Sequence, residues 1–181
     1  SQGCALMGPH PSCSGGQERM TANDASPVLV RFAKPADWPA IDGFLEAQFP
    51  HDPNRLTGNE LSTLAPGGPL SVLIAEIETE VCGFIVLRDR RFRPWTGIDF
   101  IGVAPHAARQ GVGKALMRAA FARAARPVLR LFVHASNAPA RALYVNTGFR
   151  HTSTKASHYP NGEDAVVMMR WVGPRWLRSQ K

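Results

Sequence analysis

The sequence has few cysteines and no long apolar run, and each scarcity excludes a class of protein. The chain contains 3 cysteines, Cys4, Cys13 and Cys82. Their odd number and lack of paired metal-ligand spacing argue against a disulfide framework, and no metal site is predicted. No apolar run approaches the roughly 20 residues that cross a bilayer, and the first residues lack the basic-then-apolar order of a secretory signal. We therefore predict a cytoplasmic protein without a membrane partner.

The composition predicts one basic globular domain. A chain of 181 residues with 44% hydrophobic content buries a sizeable core without staples. The net charge of +7 is compatible with nucleic acid, acidic partners or a cofactor that carries several phosphates. No aromatic residues are spaced as a single-strand stacking platform requires, so a solvated basic surface is favoured over nucleic-acid binding. Composition leaves the oligomeric state open, a homodimer included.

Periodicity divides the chain into a folded domain at 27–172 between two tails. Residues 1–26 have few large apolar groups and are expected to be disordered, and residues 173–181 form a basic C-terminal tail. Alternating and helical apolar patterns predict, in order, a strand at 28–32, helices at 37–49 and 59–64, strands at 70–77, 81–87 and 96–103, a helix from 111, a strand at 128–134, a helix at 137–147, and strands near 150–157 and 165–171.

This order of elements predicts an α/β fold built on a mixed sheet. The hairpin of the second and third strands, extended by the fourth, favours a central, mostly antiparallel sheet. One strand-helix-strand crossover adds a parallel pair, and the helices are expected on both faces.

The most informative segment is the glycine-spaced turn where strand 96–103 leads into a helix. Its sequence, Arg109-Gln-Gly-Val-Gly-Lys114, would present unpaired main-chain N–H groups and a helix N-terminus, which together suit a pyrophosphate. A nucleotide P-loop is excluded because positions 108 and 115 are Ala, and a dinucleotide fingerprint because position 116 is Leu. A tight turn without a ligand is the alternative.

Two segments together resemble the acetyl-CoA-binding segments of GNAT N-acetyltransferases. The first is Val103-Ala-Pro with Arg109-Gln-Gly-Val-Gly-Lys-Ala-Leu116; the second is Ser136-Asn137 with Ala142-Leu-Tyr-Val-Asn-Thr-Gly-Phe149. The likeness covers about one domain, from Val28 to Trp171. It implies a GNAT-like fold and acetyl-CoA as co-substrate. The implied cofactor residues are Ile101, Gly102 and Val103 for the pantetheine arm, Ala108, Arg109, Gln110, Gly111, Val112, Gly113 and Lys114 for the pyrophosphate, and Asn137 for the arm again. Ala108 departs from the Arg or Gln usual in the family, which implies weaker binding.

The resemblance also implies a catalytic acid. Tyr144 matches the tyrosine that, in many relatives, protonates the leaving thiolate; without the motif it would be interpreted as a core aromatic. For the base, Asp99 is the favoured candidate because alternation places it on the strand face of Ile101 and Val103. Glu46, Glu76, His134 and a water relay are the alternatives.

The acceptor is an amine whose identity stays open. Residues 131–137 and 158–165 are similar to bacterial enzymes that acetylate ribosomal-protein N-termini, but Phe132 stands where those enzymes have a catalytic Glu, and His158 where they have a second Tyr. A protein N-terminus, a lysine and a small amine are all compatible. The expected acceptor walls are Phe49, His51, Trp95, His158 and Tyr159. A CoA-binding sensor or scaffold without turnover is the alternative function.

Overall fold

The computed structural model describes residues 27–50, 56–57 and 68–174. Three expectations therefore lie outside the described residues: the tail at 1–26, the short helix at 59–64, and His51. Most of the basic C-terminal tail, residues 175–181, lies outside them as well.

The described elements follow the predicted order, and their ends differ from it by a few residues at most. They are β1 Leu29–Phe32, α1 Trp38–Gln48, β2 Leu70–Ile77, β3 Glu80–Asp89, β4 Trp95–Val103, α2 Val112–Arg123, β5 Val128–His134, α3 Ala138–Asn146, β6 Arg150–Lys155 and β7 Ala165–Trp171. No described helix combines the length and the apolar character that a membrane span requires.

The strands form one sheet in the order β1-β2-β3-β4-β5-β7-β6. Pairing is antiparallel between all neighbours except β4 and β5, which run parallel and are connected through α2. A crossover of this kind is needed because parallel strands cannot be joined by a tight turn. The predicted mixed sheet, mostly antiparallel with one parallel crossover, is confirmed.

A helix covers each face of the sheet, and two hydrophobic clusters result. On one face, Leu116 and Met117 of α2 pack with Ile85, Leu129 and Leu131, all at most 1% exposed. On the other face, Ile41 and Leu45 of α1 pack against a second cluster that includes Ile74, Phe84 and Phe100. Burying a side chain of this size contributes about 1.5–3 kcal/mol, so these two faces dominate the stability of the fold.

The start of α1 lacks the side-chain cap that an aspartate at this position usually provides. Asp37 occupies the N-cap position, but its side chain makes no cap bond to α1. The reason is that the Asp37 carboxylate accepts two hydrogen bonds from Arg31, of 2.7 and 3.0 Å, and a third from the amide of Lys34, of 2.6 Å. Arg31 also donates to Glu76 of β2. The Arg31 hydrogen bonds lower the pKa of Asp37 below its ordinary value.

A β-bulge interrupts β4 at Asp99. In the register with β3, Val86 faces Phe100 while Leu87 faces Ile98, so Asp99 is the extra residue. Ile98 consequently belongs to the α2-side cluster and Phe100 to the α1-side cluster, although the two are only two positions apart. The bulge thus interrupts the simple alternation from which we expected a face shared with Ile101 and Val103 for Asp99. Its carboxylate turns instead to Arg88 of β3.

Candidate active site

The principal cavity lies where β4 and β5 separate. Their parallel pairing begins at Trp95 with Val128 and ends at Ile98 with Leu131. Beyond this point both strands line a cavity of about 590 Å³. Because the β5 side of β4 has no strand partner there among the described residues, its main-chain polar groups are available to another hydrogen-bonding chain.

One of these main-chain groups already has a partner. The amide of Ala104 donates to the main-chain carbonyl of Cys82 on β3 at 2.8 Å. Because the N–H and C=O of a trans peptide point in opposite directions, the carbonyl of Val103 points away from β3. The side-chain amide of Gln48, at the end of α1, donates to that carbonyl at 3.2 Å. This bond ties α1 to the open edge of β4.

Most of the predicted cofactor residues line this cavity, and three do not. Those that line it are Ile101, Val103, Ala108, Arg109, Gly111, Gly113, Lys114 and Asn137. Gly102 faces α1 instead, where a Cβ atom would lie 2.5 Å from the Phe84 ring. Val112 is 1% exposed within the α2-side core, and the side chain of Gln110 donates to the carbonyl of His106 at 2.9 Å.

The glycine-spaced turn has the backbone conformation that an anion site requires. Arg109 has φ of 66° and Gly111 has φ of 88°, both left-handed. At Gly111 nothing lies within 4 Å of a built Cβ, so this position needs glycine for its dihedral angle and not for space. Gly113 is restricted by space, since its Cβ would be 3.1 Å from Leu143 of α3. The turn thus directs the N-terminus of α2, with its unpaired N–H groups, toward the cavity.

Two cations flank the turn. Arg109 and Lys114 both line the cavity, and within the described part of the chain neither forms an ion pair. The preceding segment is fixed to the sheet, because the Nε2 atom of His106 lies 3.3 Å from a carboxylate oxygen of Glu80 on β3. The arrangement can hold a group that carries several negative charges.

Tyr144 reaches the cavity from α3 and is 5% exposed. Burial, and secondly the proximity of Tyr159, raise the pKa of its phenol above the ordinary range. The phenol therefore keeps its proton at neutral pH. The ring of Tyr144 packs 5.9 Å from that of Phe149.

His134, at the end of β5, lines the same cavity and is held by a carboxylate. Its Nδ1 atom lies 2.9 Å from one oxygen of Glu163, and the other oxygen accepts the amide of Ser136 at 2.8 Å. Tyr159 stacks on the imidazole, with ring centroids 3.4 Å apart and planes at 12°. The bonds from Ser136, followed by that from His134, lower the pKa of Glu163 to about 2. A carboxylate only accepts hydrogen bonds, so Nδ1 is the protonated nitrogen and Nε2 of the neutral ring keeps a lone pair.

His134 was one of the alternatives for the base, but its partner was not predicted. Glu163 lies 29 residues away along the chain. His134 also borders a second cavity of about 230 Å³, which shares Phe49 and Tyr159 with the first. Asp99 lines the larger cavity, but its carboxylate is bonded to Arg88.

The expected acceptor walls divide into two groups. Phe49 and Tyr159 line the principal cavity. Trp95 and His158 do not: Trp95 lies between two arginines, and His158 stacks on Phe132 with ring centroids 5.0 Å apart. Phe132, which does line the cavity, was not among the predicted wall residues.

Comparisons with known proteins agree on one family. The sequence model of the acetyltransferase (GNAT) family matches residues 36–149. The 5-NmdU N-acetyltransferase of Pseudomonas phage PaMx11 is 36% identical over 98 residues, which span 54% of this chain and 67% of that protein.

Two solved structures share the fold. The ribosomal-protein-S18-alanine N-acetyltransferase from Escherichia coli superposes with a TM-score of 0.67 at 23% identity, over 81% of this chain and 95% of its own. Ard1 from Thermoplasma volcanium superposes with a TM-score of 0.67 at 24% identity, over 80% of this chain and 97% of its own.

Proposed function

The chain belongs to the acetyltransferase (GNAT) family, and from that membership we propose that it transfers the acetyl group of acetyl-CoA to a primary amine by direct attack in a ternary complex. One observation carries the proposal: the separation of β4 from β5 gathers an open strand edge, the glycine-spaced turn and Tyr144 around one cavity. Acetyl-CoA supplies the acetyl group as a thioester.

The residues around the cavity fit such a donor in three respects. The turn at Gly111 and Gly113 offers main-chain N–H groups and a helix N-terminus to a pyrophosphate. Arg109 and Lys114 add positive charge beside it. The open edge of β4 at Ile101 and Val103 offers main-chain hydrogen bonds of the kind that an amide-containing arm can accept and donate, and the carbonyl of Val103 already accepts one from Gln48. Asn137 is less available than expected, because its side chain caps α3 by accepting the amide of Ala140 at 3.1 Å.

Tyr144 is assigned the role of acid. A buried phenol whose pKa is raised holds its proton at Oη, where it can donate a hydrogen bond to the departing sulfur as negative charge develops. The cavity position of Tyr144 and the raised pKa of its phenol support this role over a purely structural one.

His134 is assigned the role of base, in preference to Asp99. With Nδ1 directed to Glu163, the Nε2 lone pair of His134 is free to take a proton from the attacking amine, directly or through one water. Glu163 keeps the imidazole in the required tautomer and stabilises the positive charge that the imidazole acquires. Carboxylates bonded to a functional histidine do the same in other sites. Asp99 is less suited, because its carboxylate is already bonded to Arg88.

The decisive experiment is a screen of amines and peptides for release of free CoA thiol. Amino-terminal peptides, lysine peptides and small amines represent the open acceptor classes, and the acceptor in the name of the phage relative, 5-NmdU, belongs in the panel. Acetyl-CoA should also raise the melting temperature, since a ligand that binds only the folded state stabilises it. Stabilisation without turnover on any acceptor would favour the sensor or scaffold over the enzyme, and no stabilisation at all would contradict both.

A matched pair of variants separates the two candidate bases. His134→Gln, which can still donate to Glu163, should lower kcat by about 10² to 10⁴, the contribution typical of a positioned acid or base. Asp99→Asn should retain most of the activity. The opposite ranking of the two variants would transfer the role to Asp99.

A further inference from the structure

A chain of cation–π contacts crosses the sheet surface beside the cavity. Its five members, here called the arginine ladder, are Arg93, Trp95, Arg130, Phe132 and Lys155. The guanidinium carbons of Arg93 and Arg130 lie 5.3 and 4.8 Å from the Trp95 ring centroid. Arg130 lies 4.7 Å and the Lys155 ammonium 5.3 Å from the Phe132 ring centroid. Each neighbouring pair of cations therefore shares one aromatic ring.

The ladder occupies the sheet face opposite α2 and ends at the cavity. Along β5, Leu129, Leu131 and Val133 are buried in the α2-side cluster, so the alternating residues Arg130 and Phe132 project from the other face. Both are half-buried, and Lys155 on β6 is exposed. Because Phe132 also lines the principal cavity, the ladder leads directly to the place where the acceptor must enter.

The positive charge of the ladder is not neutralised within the described part of the protein. None of the described carboxylates forms an ion pair with Arg93, Arg130 or Lys155. Burial and the neighbouring charge of Arg93 lower the pKa of Arg130, and the Nε atom of Arg130 is buried without a hydrogen-bond partner. Like charges held this close repel one another, so a bound polyanion would relieve the repulsion.

We infer that the arginine ladder binds a single strand of nucleic acid, which presents the acceptor amine to the cavity. The binding surface stands on the geometry above, whereas the presentation of an amine rests on the proposed transfer reaction. A single strand is favoured over a duplex because a base that carries the acceptor amine must leave any helical stack to reach the cavity. It is favoured over an acidic peptide because guanidinium groups on an open sheet can bind phosphates and can also stack on the faces of bases.

The residues of the ladder are far apart in the sequence and are brought together only by strand pairing. For this reason we predicted, from the sequence, a solvated basic surface in place of a binding site. Trp95 begins β4, Phe132 is near the end of β5, and Lys155 ends β6. The parallel pairing of β4 with β5 brings the first two together, and the antiparallel strand β7 brings β6 to the same region of the sheet.

The test is fluorescence anisotropy with a labelled single-stranded oligonucleotide, at saturating coenzyme A so that the phosphate site of the cofactor is not available to it. Binding should weaken with salt, since each phosphate contact on a single strand contributes about −0.7 to the slope of log K against log salt concentration. Replacing Arg93, Arg130 and Lys155 together by Ala should reduce that slope by about 2 units. Lys155→Glu, at an exposed strand position, provides a second variant that leaves the core intact.

The matched control is Arg123→Ala. Arg123→Ala removes one positive charge and is compared with Arg130→Ala, which also removes one. Arg123 likewise stacks on an aromatic ring, that of Phe32, but it lies with β1 at the other end of the sheet. This control should bind the oligonucleotide as the unmodified protein does. Equal loss in the control and in the ladder variants would overturn the inference, as would equally tight binding of an acidic peptide of the same charge. Ladder-dependent binding in a protein that releases no CoA thiol with any acceptor would refute the transfer reaction alone.

Discussion

Replacing Tyr144 by Phe separates a catalytic phenol from a structural ring. The variant keeps the ring, and with it the packing 5.9 Å from Phe149, and removes only the hydroxyl. The raised pKa of this phenol is caused by burial and by Tyr159. A net protein hydrogen bond is worth about 0.5–1.5 kcal/mol, so the free energy of unfolding should change by less than that, or even increase.

The same variant should be severely impaired in turnover. Loss of a positioned acid costs about 10² to 10⁴ in rate, which corresponds to about 2.7–5.5 kcal/mol in the activation free energy. The assay is steady-state thiol release with acetyl-CoA, run beside thermal melts of the same preparation, and the Kd for acetyl-CoA should stay unchanged. The predicted signature is thus a large loss of kcat at constant stability.

The chain offers a matched control for Tyr144. It has 2 tyrosines, and the other, Tyr159, lines the same cavity while its ring stacks on His134. Tyr159→Phe keeps that stacking and should lose less activity than Tyr144→Phe. If Tyr144→Phe turned over at the rate of the unmodified protein, or if it lost several kcal/mol of stability together with its activity, the assignment of the acid would be refuted.

Three further substitutions test the fold around the site. Gly111→Val should raise the Kd for acetyl-CoA in calorimetry, because left-handed backbone costs a side chain about 1–2 kcal/mol, whereas Gly111→Asn should be tolerated; equal effects of the two would contradict the conformational argument. Gly102→Ala should lower stability by about 1–3 kcal/mol, through overlap with the Phe84 ring, and leave the Kd unchanged; a changed Kd without loss of stability would return Gly102 to the cofactor site. Asp37→Ala should lower the free energy of unfolding in urea by about 2–4 kcal/mol, since it leaves Arg31 with one carboxylate less. Because folding lowers the pKa of Asp37, that difference should be full above its ordinary value of 3.8 and shrink as the pH falls below it; a difference independent of pH would exclude the ion pair as its source.

The sequence predicted best those elements whose pattern is local. The strands Val128–His134 and Ala165–Trp171 were predicted at their observed ends, because apolar runs of this length are bounded by residues that favour turns. The turn at Gly111 was likewise predictable, since its φ of 88° follows from a requirement that glycine meets within a few residues.

The features that sequence reasoning missed depend on register and on distant partners. The bulge at Asp99 arises from the pairing of β4 with β3 and not from β4 alone, so alternation within one strand could not place that side chain. The bond between His134 and Glu163 depends on the loop after β6 folding back over the end of β5. The residue pattern within one β-strand carries no information on the bulge or on this bond.

The brief parallel contact between β4 and β5 has a kinetic consequence. Only 4 residue pairs join β4 to β5. Beyond these pairs, the distance between the two strands beside Phe132 therefore depends on the molecule that binds between them. An acyl donor bound between β4 and β5 would fix the distance between the two strands before the acceptor binds. We therefore expect compulsory ordered addition, with the acyl donor first and the amine second.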